Sequence, residues 1–294
     1  MAALAAAGFV LAGCQPLSSG GGSTAHPPAA NDCAPAPLDR SWFPAVPRVD
    51  NRFRPFLPGM EYVLDGSVLG PDGSRHAHRI ETIVTQLTKL VDGVTTVVVF
   101  ERDFQDGTMT ESELALLAQD RQGAVWNLGE YPEVYDLGQL LGAPSAWISG
   151  VAGSRAGMEM VARPRVGDPP FQEGLAPAVG FKDCAVVYQS GQRVCVGGQC
   201  YDGVLVVDEF APLNRREGHQ RKYYAPNVGT IKVGAVGGAD PEVLELTRAV
   251  RLCQPELIAA QELALAQDTR GYRVATDLFA GLPPASATLQ AQPC

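Results

Sequence analysis

The chain is 294 residues long and carries 23 basic against 32 acidic side chains, a formal net charge of −9. Nucleic-acid binding rests on a positive field around phosphates, so this balance argues against such a partner. The nearest approach to a basic run, Arg215, Arg216, Arg221 and Lys222, is interrupted by Glu217 and reads as a solvated hairpin face.

The opening run Ala2–Gly13 is apolar and small and leads into Leu11-Ala12-Gly13-Cys14. That tetrapeptide has the form of a lipobox: a branched apolar residue, two small residues that fit a signal peptidase groove, and the cysteine that takes a diacylglycerol. The run is shorter than the roughly 20 residues that span a bilayer, so it does not read as a transmembrane helix. Met1-Ala2-Ala3 places no Lys or Arg ahead of it, which points to a true start upstream of Met1. The expected organisation is a lipoprotein signal peptide (1–14), a Ser/Gly/Pro tether (15–40), a β-rich domain (41–253), a helical segment (254–282) and a mobile tail (283–294). A Gly/Ser-type tether of about 25 residues reaches roughly 25–30 Å, so a body lipidated at Cys14 would work close to a membrane yet reorient freely.

After Cys14, six cysteines remain: Cys33, Cys184, Cys195, Cys200, Cys253 and Cys294. An even number suits an oxidising compartment outside the cytoplasm, in the cell envelope. Cys195 and Cys200 enclose Val-Gly-Gly-Gln, a hairpin-like turn that brings their side chains within bridging distance; the other pairings stay open.

From Met60 onward, β-rich runs alternate with turn signals. Met60–Val68, His76–Leu90, Val94–Phe104, Met109–Arg121 and Ala124–Tyr131 are separated by Asp72-Gly73, Asp92-Gly93, Asp106-Gly107 and Gln122-Gly123. Asp-Gly between β-branched runs is a hairpin signal, because both turn positions must tolerate positive φ. Antiparallel pairing follows, since parallel strands would need crossover helices and no helical period lies between these runs. The stretch Gly138–Pro170 is rich in Gly and Pro and reads as a long loop. Phe181–Gln189, Gly203–Phe210, Gln220–Ala225, Thr230–Ala235 and Glu242–Leu252 are again strand-like. Pro255 then opens a helix, Glu256–Asp268, whose apolar residues form no clean stripe. The expected fold is mainly β: a large curved antiparallel sheet or partly closed barrel with a C-terminal helix.

Two motifs, Ala118-Gln119-Asp120-x-x-Gly123-x-Val125-Trp126-x-x-Gly129-Glu130 and Lys222-Tyr223-Tyr224-Ala225-Pro226-x-Val228-Gly229, resemble a family of bacterial secreted proteins and lipoproteins of unknown function. Trp147-x-x-Gly150-Val151-x-Gly153-x-x-x-Gly157-x-x-Met160 and Val166-Gly167-Asp168 with Gln172-Glu173 are similar to it as well, so the resemblance covers about Met60 to Leu246. It implies an extracytoplasmic β-rich domain like the open half-barrels of lipoprotein carriers, and no catalytic residue. The chain departs from the pattern at Asn127, where an aromatic usually follows the Trp, at the Cys195–Cys200 turn and in the helix after Cys253.

Several side-chain sets could carry chemistry. Glu101, Asp103, Glu111, Glu113, Asp120 and Glu130 lie on three consecutive strands, where paired carboxylates could serve acid/base hydrolysis. Charged groups are seldom buried without partners, so a water-facing sheet surface is the expected place for them. Strict alternation puts Trp126 and Glu130 on one face, as in a sugar or cation site, against a reading in which Trp126 anchors the core and Glu130 caps the turn at Tyr131-Pro132. His76 and His78 share one side of a strand but lack a third metal ligand, since His26 lies in the tether and His219 in a turn; a solvated edge strand is expected. Tyr223 and Tyr224 either line a binding groove or pack under a hairpin. No Gly-x-Ser-x-Gly elbow, P-loop, dinucleotide fingerprint, EF-hand loop or Cys-x-x-Cys occurs, and no cofactor is indicated. Three functions compete: a non-enzymatic carrier of an apolar ligand or partner protein, a hydrolase using Glu111, Asp120 and Glu130, and a structural envelope protein.

Overall fold

The computed structural model describes residues 32–70, 72–238 and 241–291. Cys14, most of the expected tether and Cys294 lie outside the described residues. Two short strands come first, β1 (Val49–Asp50) and β2 (Pro55–Phe56). Next are β3 (Met60–Leu69), β4 (Arg75–Val91), β5 (Val94–Gln105), β6 (Thr108–Gln119), β7 (Val125–Asp136) and β8 (Gln139–Gly142). They are followed by β9 (Trp147–Ile148), β10 (Arg155–Met160), β11 (Phe171–Ala176), β12 (Phe181–Val196) and β13 (Gln199–Phe210). β14 (His219–Ala225), β15 (Gly229–Val236) and β16 (Glu242–Arg251) complete the body, and α1 (Gln254–Val274), α2 (Thr276–Phe279) and β17 (Ser286–Ala287) end it.

Strands β3–β7 and β10–β16 form a closed antiparallel barrel of 12 strands. Two non-sequential pairings close it: β16 returns to β3, with Leu244 opposite Gly66, and β10 pairs with β7, with Gly157 opposite Asn127. The expected loop 138–170 therefore contains the strand that seals the ring. The hairpin turns form as their residues require: Asp92, Gly93, Asp106 and Gly107 have φ of 47°, 77°, 49° and 79°.

Alternation along β5 and β6 sorts two apolar layers. Val97, Val99, Ala115 and Leu117 face inward, joining Ala185, Val187, Leu205 and Val207 from the far wall and Val49 and Phe56 from the β1–β2 hairpin. That hairpin stoppers one end of the barrel. Gln119 Oε1 accepts from Asp50 N and Asn51 N, Asn51 Nδ2 donates to Gly123 O, and Asn227 N donates to Arg52 O, so the hairpin is tied to the β6–β7 and β14–β15 turns. The opposite register, Val98, Phe100, Leu114, Leu116, Trp126 and Tyr131, faces outward and packs under Phe43, Ala264 and Phe279. Fully burying one such side chain contributes about 1.5–3 kcal/mol.

The helix docks by buried polar groups as much as by apolar ones. Lys89 Nζ lies 2.7 Å from Asp268 Oδ1 and also donates to Pro283 O, and Gln267 Nε2 donates to Ser112 O and Tyr131 O. These contacts explain the missing apolar stripe. The segment after Pro283, expected to be mobile, instead pairs through β17 with Thr88 and Leu87 of β4. On β15, β16, β3 and β4 the outer face carries cross-strand ion pairs, Lys232–Glu245, Arg79–Asp65 and Arg248–Glu61. A membrane-spanning barrel shows the reverse, an apolar outer band, so this wall faces water.

Disulfides join Cys33 to Cys184 and Cys195 to Cys200, and Cys253 is also disulfide-bonded. Such bridges persist in oxidising compartments, which places the body outside the cytoplasm.

Candidate functional site

Above the apolar inner layer, the lumen carries a belt of buried charge. A barrel widens with strand number, and eight strands are already just filled by their own side chains, so a wall of 12 encloses more room. On the β10–β15 side two cations are matched to two carboxylates. Arg54, beside β2, donates to Glu159 Oε1 at 2.6 Å and to Thr230 Oγ1, and its guanidinium lies 4.5 Å from the Phe56 ring centre. Burial opposes ionisation of Glu159, but the Arg54 charge prevails and holds its carboxyl below the usual range. Lys222 on β14 is ion-paired with Glu209 on β13, and Tyr224 Oη donates to the same carboxylate at 3.1 Å. Burial lowers the affinity of Lys222 for its proton, while Glu209, Glu173 and Glu159 more than offset this and raise it. Glu173, from β11, is pushed well up by burial and by Glu209.

On the β5–β7 side carboxylates face carboxylates. Glu101 stands directly opposite Glu113 in the β5–β6 register, Asp103 opposite Glu111, and Glu130 on β7 opposite Ala115. Directly opposed residues have Cβ atoms about 4.5–5.5 Å apart. Thr82 Oγ1 donates to Glu101 at 2.6 Å; Asn127 Nδ2 and Trp147 Nε1 donate to Glu130 at 2.6 and 3.0 Å. Glu113 is 3% exposed, and its Oε1 has no hydrogen-bond partner. Burial, then Glu130, raises the Glu113 carboxyl well above its ordinary value. Burial and then Asp103 raise Glu111 to about 8. These acids were expected on a water-facing surface. Closure of the sheet turns that face into a lumen, so five of the six named carboxylates, Glu101, Asp103, Glu111, Glu113 and Glu130, point inward.

Asp120, the sixth, is elsewhere. Its Oδ1 accepts from the backbone of Gln122, Gly123 and Ala124, and its Oδ2 from Trp126 Nε1 at 2.9 Å. It shapes the β6–β7 turn and locks Trp126 onto the outer core, where Trp42 and Phe43 meet the indole. Trp126 and Glu130 do not share a face. β7 holds one extra residue between Asn127 and Glu130, a bulge that reverses the alternation. Gly129 sits in that bulge, where a Cβ would lie 2.8 Å from Trp147 O. Trp147 itself reaches from β9 to Glu130 and stacks on Phe181. Glu130 caps no turn.

His78 is buried in a strand with partners on both sides, not on a solvated edge. Its Nε2 lies 2.7 Å from Asp103 and its Nδ1 2.7 Å from Glu242. Burial disfavours its charge, but the two carboxylates prevail and raise it to about 10, so it is a fixed cation. His76 is partly exposed and pairs with Asp106 instead. Tyr224 is buried in the lumen layer and Tyr223 half-buried beside it. Lys222, expected on a solvated hairpin face, is buried. Arg54 and Glu159 were not singled out in the sequence; an Arg and a Glu amid apolar runs near Phe53 and Met158 are the signal that was available.

The chain matches no known protein family and no curated protein. Two solved structures are similar. One is a protein of Bacteroides fragilis NCTC 9343, provisionally named as exported with a YmcC-like fold, at 13% identity and TM-score 0.37, covering 68% of this chain and 99% of that one. The other, provisionally named a lipoprotein, is from Parabacteroides distasonis ATCC 8503, at 10% identity and TM-score 0.35, covering 68% of this chain and 100% of that one. Of the motif residues singled out in the sequence, Glu130, Trp147, Glu173, Lys222 and Tyr224 belong to the charged belt or brace it, whereas Asp120 and Trp126 lie at the β6–β7 turn and in the outer core.

Proposed function

We propose that this protein is a membrane-tethered binding protein of the cell envelope that takes its ligand into the barrel lumen. The observation that carries the reading is the buried charged belt. Burying ionised groups costs several kcal/mol each unless they are paired, so a purely structural barrel would line its interior with apolar side chains. The lipid at Cys14 holds the body near the membrane, and the partner is a small molecule with polar groups to meet the belt, in addition to the apolar ligand suggested by the inner layer. The test is native mass spectrometry of the purified full chain. A co-purifying mass, released on unfolding, is expected; a lumen that is empty in every preparation, with belt amides fully protected from hydrogen exchange, would overturn it. Palmitate labelling that is lost in Cys14→Ser is expected for the anchor.

The hydrolase reading has one specific observation in its favour. Asp103 and Glu111 stand directly opposite each other, where Cβ atoms lie about 4.5–5.5 Å apart, and Glu111 is raised to about 8 as an acid requires. Asp120, locked in its turn, has no part in it.

A further inference from the structure

We propose that Glu101, Glu111, Glu113 and Glu130 form a receptor for the cationic nitrogen of an organic amine or guanidine, with the unpartnered Oε1 of Glu113 as a principal acceptor. This rests on the lumen-binding reading above and specifies the ligand. The four side chains come from three adjacent strands and share the lumen face, Glu101 directly opposite Glu113, Glu111 two residues before Glu113 on β6 and Glu130 opposite Ala115 two residues after it, so that Glu111 and Glu113 each feel the charge of Glu101 and Glu130. The nearby cations are already committed: Arg54 to Glu159, Lys222 to Glu209 and His78 to Asp103 and Glu242. Glu101 and Glu130 each accept from a neighbouring donor, which orients them. Glu113 alone of the set presents a buried oxygen with no donor. Leaving an acceptor so buried is unfavourable, and a ligand N–H would recover that cost.

A metal ion suits the set less well. Oxygens bound to one calcium at about 2.4 Å lie within roughly 4.8 Å of one another. Among the described residues, only Asp32, Cys33 and Cys184 meet that spacing in a group of three, and their sulfurs form a disulfide. An ammonium or guanidinium spreads several N–H donors and bridges carboxylates that are further apart.

The experiment is calorimetric titration of the full chain with spermidine, agmatine and calcium, at pH 6.0 and pH 8.5. Binding of an amine is expected, tighter at the higher pH because Glu111 and Glu113 must lose protons to receive it. Asp103 and Glu101 face them from β5 and Glu130 from β7 and push their protons the same way, while His78 on β4, the cation paired with Asp103, keeps its charge across this pH range. Glu113→Gln should weaken binding at least tenfold, with an unchanged circular dichroism spectrum; Glu111→Gln serves if that variant does not fold. Failure of both amines to bind, binding unchanged in the Gln variants, or Glu113-dependent binding of calcium alone would overturn the proposal. A neutral or anionic molecule that co-purifies equally with wild type and Glu113→Gln would overturn it while leaving the lumen-binding reading intact.

Discussion

The two sides of the lumen handle buried charge differently. On the β10–β15 side both cations have an opposite number, Arg54 with Glu159 and Lys222 with Glu209, and only Glu173, pushed well up by burial, stands outside these pairs. On the β5–β7 side, Glu101 faces Glu113 and Asp103 faces Glu111. Matched charge braces a wall, whereas unmatched charge stores a demand for a partner. The first is scaffold by this reasoning, and the second is where a ligand finds something to do.

Substitutions separate the two. Arg54→Met strands Glu159 in the matched half, and denaturant unfolding should show a loss of about 3–5 kcal/mol, the usual cost of breaking a buried pair from one side. If that variant were as stable as wild type, the matched half would not be scaffold. The next effect is one of pH. Glu111 has a folded value near 8 against an ordinary 4.5, so its contribution is fully present below about 4.5 and lost as pH rises through 8. His78, near 10 against 6.5, contributes fully below about 6.5 and loses that as pH rises through 10. Both slopes have the same sign, so Tm should fall by several degrees between pH 5 and pH 10. Glu111→Gln should flatten the lower part of that fall and His78→Gln the upper part. The smallest effect is that of Glu113→Gln without ligand. Removing an ionisable group from a crowd of like charges should be neutral or stabilise by about 1 kcal/mol, and a loss of 3 kcal/mol would show that Glu113 is structurally paired.

Much of the wall was legible in the sequence because hairpin signals are local. Asp92-Gly93 and Asp106-Gly107 bound their strands within a residue or two of the observed ends. The short closing strand β10 was not legible, because Arg155–Met160 has two alanine- or glycine-sized positions and no β-branched residue. Its strand character comes from pairing with β7 and β11. The bulge at Gly129 was equally hidden, and with it the side on which Glu130 lies. The α1 contacts were missed for another reason: its buried face includes Gln261, Gln267 and Asp268, which any hydrophobic pattern scores as exposed.

The sequence by itself determined that this is an antiparallel β protein with a C-terminal helix, since turn chemistry and period-two patterning act over a few residues. It also made the Cys195–Cys200 bridge foreseeable, because the two cysteines flank one tight turn. Only the tertiary structure decided that the acidic face is inside. Alternation separates the two faces of a sheet but does not say which one closure will enclose, and that depended on β10 meeting β7 and β16 meeting β3, pairings between strands distant in the chain.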